Sequence, residues 1–216
     1  MMFRTRALPA LAATAALAAC AGEGELVLDQ GVGITSVLST CPAVGIPDYT
    51  GDITIFRSQT DRSAASLDVS AAMTNLRTSC NDTGEKVYSE ATFDVHARRT
   101  DTRGARTVVL PYFVTVLRGG SAVVSKRVGE VTLSFADGQE RAMGTAKVGS
   151  FVNRADATLP EDIRKKITRR RRPGDVDAAL DPLADPEVKA AIARTRFEML
   201  VGFQLTEEQL AYNVTR

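Results

Sequence analysis

The chain has 216 residues, of which 44% are hydrophobic and 25% charged, with 27 basic and 26 acidic side chains. These proportions describe a folded globular chain and exclude a disordered or collagen-like one. A charge balance this even points to no class of charged partner for the molecule taken whole.

The first element is a secretory signal. Arg4 and Arg6 form a basic start, and Ala7 to Ala19 form an apolar stretch broken only by Pro9 and Thr14. That stretch is too short to persist as a membrane-crossing helix, which needs about 20 apolar residues. It ends in Leu17-Ala18-Ala19-Cys20. This ending resembles the lipobox of bacterial lipoproteins of the Gram-negative type. The resemblance covers residues 1–20 and carries over one role, that of Cys20. It implies removal of residues 1–19 and acylation of the Cys20 thiol, often with a further acyl group on the new terminus. Two or three chains, at roughly 0.8 kcal/mol per buried CH₂, make a lasting membrane anchor where one would not. By the sorting habit of the same family, Ala21 in place of Asp implies the outer membrane, with the domain facing the periplasm. An ordinary cleaved signal would leave three cysteines, one of them unpaired.

The mature chain keeps 197 residues, enough for one domain with a sizeable core. Only Arg4 and Arg6 are lost among the charges, leaving 25 basic against 26 acidic side chains. With Cys20 acylated, two thiols remain, Cys41 and Cys80. An even pair in an oxidising compartment is expected to form a disulfide, with two buried thiols as the alternative. Together with a lone histidine, two distant cysteines cannot build a structural zinc site, so no metal and no cofactor is expected. Residues 20–48 read as a lipidated tether and lead-in: Gly22, Gly24, Gly31 and Gly33 loosen it, and Pro42 and Pro47 flank an irregular stretch. About 20 such residues span roughly 25 Å.

From about residue 52 the hydrophobic period becomes two. Ile53 and Ile55 alternate with polar residues, as do Leu67, Val69, Ala71 and Met73. The clearest strand has Val87, Ser89, Ala91, Phe93, Val95 and Ala97 on one face and Tyr88 to Arg98 on the other. Turn chemistry at Asn81–Gly84, Gly119-Gly120 and Asp137-Gly138 separates further strands. Val108–Leu117 is apolar on both faces and therefore central, although Pro111 demands a bulge or an unpaired edge there. About six strands joined by short turns predict a mainly β fold, an antiparallel β-sandwich, with an immunoglobulin-like arrangement as the nearest familiar topology.

Residues 153–195 interrupt that pattern as a short helical and basic insertion before the last strand, within a single domain spanning 49–216. Thr158 with Glu161 reads as a capping box ahead of a helix over about 159–170. Asp185-Pro186-Glu187 opens a second helix. Phe197, Met199, Val201, Phe203 and Leu205 alternate again as a final core strand, and Thr206 with Gln209 starts a last helical turn.

Sites of chemistry are few. His96 and Asp94 share the polar face of one strand, a common arrangement on a solvated sheet, and no nucleophile, metal-ligand or phosphate-loop motif accompanies them. An enzyme is therefore not expected. The unusual feature is basic: Arg164, Lys165, Lys166, Arg169, Arg170, Arg171 and Arg172, which give residues 161–172 a charge of about +5. Such a run is a candidate site for an anionic lipid or glycan, or a docking surface for another envelope protein. An export signal and the lack of interleaved aromatics exclude nucleic acid as the partner. The function expected from the sequence is that of a lipid-anchored, non-catalytic interaction or scaffolding module.

Overall fold

The computed structural model describes residues 38–58 and 60–216. Cys20 and the signal lie outside them. Residues 170–180 do not belong to the main compact unit.

The main unit is mainly β. Its strands are β1 (Ala43–Gly45), β2 (Asp52–Phe56), β3 (Leu67–Asn81), β4 (Lys86–Arg99), β5 (Arg106–Arg118), β6 (Ala122–Phe135), β7 (Arg141–Asn153) and β8 (Phe197–Phe203). Four helices follow β7 in sequence: α1 (Arg154–Ala157), α2 (Glu161–Thr168), α3 (Pro186–Thr195) and, after β8, α4 (Glu207–Thr215). The strands form two four-stranded sheets, β2-β3-β4-β7 and β1-β8-β5-β6, antiparallel except where β1 runs parallel to β8.

The alternation of β4 is realised in full. Val87, Ser89, Ala91, Phe93, Val95 and Ala97 are all buried, because one face of each sheet must be apolar to pack on the other. Phe93 from β4 meets Tyr112 from β5 edge-on, their ring centroids 5.3 Å apart. Phe135, Leu133, Leu110, Met199 and Phe203 complete the core.

Strands three apart in sequence pair in each sheet: β4 with β7, and β5 with β8. In immunoglobulin sandwiches the same relation joins strand B to E and strand C to F. Here the edge beside β8 is taken by β1, a three-residue strand from the N-terminal side of the domain, and it runs parallel. The helical insertion occupies the crossover from β7 to β8.

Pro111 sits on β5, which has neighbours on both sides. Its carbonyl accepts from the Gln204 N–H at 2.9 Å, so its nitrogen faces the same flank. Paired β8 ends there at Phe203. The ladder bond that proline cannot donate therefore has no strand to receive it, and the irregularity in the β5–β6 pair falls instead at Val116/Leu117.

Strand β7 carries little sequence signal. Its inner positions are small, including Ala142, Gly144 and Ala146, because the opposite sheet comes close. A Cβ on Gly144 would lie 3.0 Å from the Thr132 carbonyl oxygen and 3.2 Å from a Leu133 methyl.

At one end of the sandwich Arg99, the last residue of β4, is 1% exposed. Its guanidinium donates to the carbonyls of Gln139, Gly104, Thr102 and Ala136 at 2.8–2.9 Å and lies over the Phe135 ring, 5.2 Å from its centre. Those carbonyls belong to the two arches, 100–105 and 136–140, that carry the chain between sheets. One side chain thus stitches both.

Candidate functional site

The insertion is built from local capping and one small core. Thr158 does not cap α2 as its spacing with Glu161 suggests. Its hydroxyl donates to the Arg154 carbonyl at 2.6 Å and closes α1 instead. Helix α2 begins after Pro160 with no side-chain cap, its first turn carrying Glu161 and Asp162 where the helix dipole favours anions. Helix α3 starts as expected: Asp185 accepts from the Glu187 and Val188 N–H groups. Ile163 and Ile167 of α2, one turn apart, are buried against Val188 and Ala191 of α3. The β5–β6 turn docks on the end of α3. The Gly119 N–H donates to the Arg196 carbonyl, and at φ 61° a Cβ there would lie 2.7 Å from the Ala193 carbonyl oxygen.

The basic residues of α2 are engaged in ion pairs. Arg164 donates to Glu161, and Lys165 lies 3.7 Å from the same carboxylate. Lys166 reaches Asp185 at 2.6 Å and Glu187 at 3.6 Å. Hydrogen bonding to Asp185 raises the Lys166 ammonium above its ordinary value. Hydrogen bonding to Lys166 lowers Asp185, and to Arg164 lowers Glu161. Within residues 170–180, Arg171 is 3% exposed and donates to Asp177 at 3.2 Å. Asp175 accepts from the Arg172 N–H, and successive turns at Asp175, Ala178 and Leu180 wind the segment. Arg169 also has interaction partners, and Arg170 and Arg172 are exposed.

These carboxylates give the fold a predictable acid response. Glu161, Asp185 and, in the sandwich, Asp68 beside Arg106 are all held below the ordinary carboxylate value by their partners. A lowered folded-state value contributes stability above the unfolded value and loses it as pH falls through the folded one. Thermal melting should therefore be level from pH 7 to about 5 and drop below about 4. A calorimetric pH series will show this, with Asp185→Asn flattening part of the acid slope.

Beside the insertion lies a cavity of about 480 Å³. Its walls come from the lead-in segment 38–43, the α1–α2 joint, the inner side of α2, the end of α3 and the start of β8. Four threonines line it. Three hydroxyls donate to the carbonyl four residues earlier, Thr158 to Arg154, Thr168 to Arg164 and Thr195 to Ala191, and the Thr40 hydroxyl donates to Asp82 at 2.8 Å. The four threonine protons are thus engaged elsewhere, and the remaining hydroxyl of the lining, on Ser39, accepts from the Cys41 N–H at 3.1 Å. Leu159, Ile167, Ile192 and Phe197 add apolar surface. Of the described lining residues two are charged, Arg164 and Arg196, and none is a carboxylate. Arg164 is tied to Glu161. Arg196 is exposed, and its guanidinium has no hydrogen-bond or ion-pair partner among the described residues.

The other sequence-derived positions lie elsewhere. Cys41 and Cys80 form a disulfide, with their Cα atoms 6.1 Å apart. It ties the lead-in to β1 in one sheet to the end of β3 in the other. Asp94 does not orient His96: its two oxygens accept from Asn75 at 2.7 Å and Thr145 at 2.9 Å, bonds that lower its carboxyl. Asn75 has a φ of 53° at the irregularity in β3, so this carboxylate fastens a bulge. His96 lines a second, shallower groove of about 340 Å³ with Arg98, Arg141 and Arg216 on the outer side of the β2-β3-β4-β7 sheet. Among the described residues no cluster of three metal-ligating side chains occurs, and no helix is long and apolar enough to cross a membrane. Set against protein-family models, curated proteins and solved structures, the chain matches none of them.

Proposed function

We propose that this protein is a lipid-anchored module of the bacterial cell envelope, held by acylated Cys20 at the outer membrane and facing the periplasm. Its sandwich is a scaffold, and its helical insertion recognises a ligand or an envelope partner without catalysing a reaction. The observation that carries this reading is the β7–β8 crossover. A plain sandwich needs only a short connection there, whereas this chain places three helices with their own apolar cluster in it and walls an apolar cavity with them. Methyl groups and committed hydroxyls suit binding, not proton transfer. The lipobox resemblance at Leu17–Cys20 supports the anchor, and the disulfide suits an oxidising compartment.

Two measurements test it. Mass spectrometry of the N-terminal peptide should find fatty acids on Cys20, and Cys20→Ser should release the protein from membranes into the soluble periplasmic fraction; an unmodified terminus refutes the anchor. A photo-crosslinking residue at Leu159, on the cavity wall, should capture an adduct in intact cells, and one at Thr145, on the outer sheet face, should not. The reverse pattern would move recognition to the sandwich.

A further inference from the structure

We infer that the cavity beside the insertion is a binding site for a single-chain anionic amphiphile, with the alkyl chain inside and the anionic head at Arg196. The inference rests on the module reading above and names what its insertion takes up. Small-ligand sites occupy about 300–1,000 Å³, are mostly apolar and place a few polar groups to fix orientation. This cavity, at about 480 Å³, fits one chain.

Its chemistry divides in two. Along the walls, Thr158, Thr168 and Thr195 would ordinarily make a threonine-rich lining polar, but their donors are consumed within their own helices. Apart from the Ser39 hydroxyl, what the walls between the arginines present is mostly methyl and methylene surface, continued by Ile167, Ile192 and Phe197. Water in such a space finds few partners, whereas an alkyl chain loses nothing by entering. The charges are both cationic. Arg164 already shares a carboxylate with Lys165, so Arg196 is the guanidinium left to meet a ligand. A planar fork of donors fits a carboxylate or a phosphate in two-point contact. No carboxylate of the described residues lines the cavity to compete for Arg196. One residue of the basic run, Lys166, ties α2 to the start of α3, which both wall the cavity. A cationic or zwitterionic head would meet a like charge at Arg196.

The test uses the full chain as Cys20→Ser, purified without detergent so that no acyl group of its own competes. Calorimetric titration compares saturated carboxylates of 10 to 16 carbons, hexadecanol, a hexadecyl ammonium and a single-chain phosphatidylglycerol. One-to-one binding is expected for the anionic ligands, at least tenfold tighter than for the alcohol, with affinity rising about fourfold per added methylene until the cavity is full. The carboxylate and phosphate arms tell which head Arg196 prefers. Arg196→Gln should weaken the anions tenfold or more and leave hexadecanol unchanged. Leu159→Trp, which fills the space, should abolish binding of both while circular dichroism and the melting temperature report an intact fold. Equal affinity for alcohol, ammonium and carboxylate, no saturable binding of any chain, or an Arg196→Gln variant that binds anions normally would each overturn the assignment. If crosslinking at Leu159 captures a protein while every amphiphile fails, the module reading stands and the amphiphile is wrong.

Discussion

Arg99→Met should lose about 4 kcal/mol of folding stability, a large share of the 5–15 kcal/mol that holds a typical domain. Methionine fills much of the same volume and keeps the contact with Phe135, so the loss isolates the guanidinium. Four carbonyls would lose this donor. Thr102 keeps the Gly138 N–H and Ala136 the Gln139 N–H, which leaves Gln139 and Gly104 without another, and each buried acceptor left unpaired costs about 1–3 kcal/mol. Partial hydration of the arches brings the sum down. Those carbonyls lie in two separate arches, which are otherwise tied to each other by the Gly138 N–H to the Thr102 carbonyl and the Gly104 N–H to Asp137. Arg99→Lys keeps the charge but replaces a planar fork with a point donor that cannot reach four acceptors in two arches, so it should recover less than half of the loss. Urea unfolding of the three proteins, with an unchanged slope on denaturant, measures both values. A Met variant within 1 kcal/mol of wild type would mean that the arches hold without the guanidinium.

Cys41→Ala with Cys80→Ala should cost about 4 kcal/mol in the chain-entropy description, given the sequence separation of 39. The loss should also be uneven. Strand β1 contributes three residues to its sheet, too few to stay paired by ladder bonds alone, and the lead-in before it is otherwise tied to the β3–β4 turn by the hydrogen bond from Thr40 to Asp82 at 2.8 Å. Amide hydrogen exchange should therefore rise most over residues 38–48 and least in β4 and β5. Because residues 38–43 wall the cavity, the same variant should lose amphiphile affinity before it loses its sandwich. Uniform exchange along the chain would show that the bridge stabilises the whole domain and not this edge.

What could be read from the residues alone depended on how local the cause was. The alternation of β4 was legible because its inner face is uninterrupted from Val87 to Ala97, and the same parity places Arg99 inside. Its acceptors could not be read, since two of the four carbonyls, those of Ala136 and Gln139, lie 37 and 40 residues away and arrive only when the two arches fold together. The Asp185 and Thr206 caps were legible because their partners lie two and three residues on. The Thr158 cap was misread because a helical carbonyl four residues back offered a closer acceptor. The ion pairs of the basic run could not be read from a window closing at Arg172, because Asp177, Asp185 and Glu187 follow it. Strand β7 was missed for lack of large inner residues. The cavity left no linear trace: residues 38–43, 157–168 and 192–197 meet only in the folded chain, and nothing distinguishes Arg196 from its neighbours until their partners are known.

The pairing of β1 with β8 sets the order in which the molecule can assemble. Ala43 lies opposite Glu198, so this contact closes a loop of about 150 residues, the kind of long-range closure that slows β proteins to milliseconds or seconds. The hairpins β3–β4 and β5–β6 are local and can form early. The β1 edge must wait for β8, and β8 for the helices before it. The wall that completes the cavity is consequently among the final pieces laid down, so a ligand held there would report not merely on a folded chain but on one whose maturation has finished.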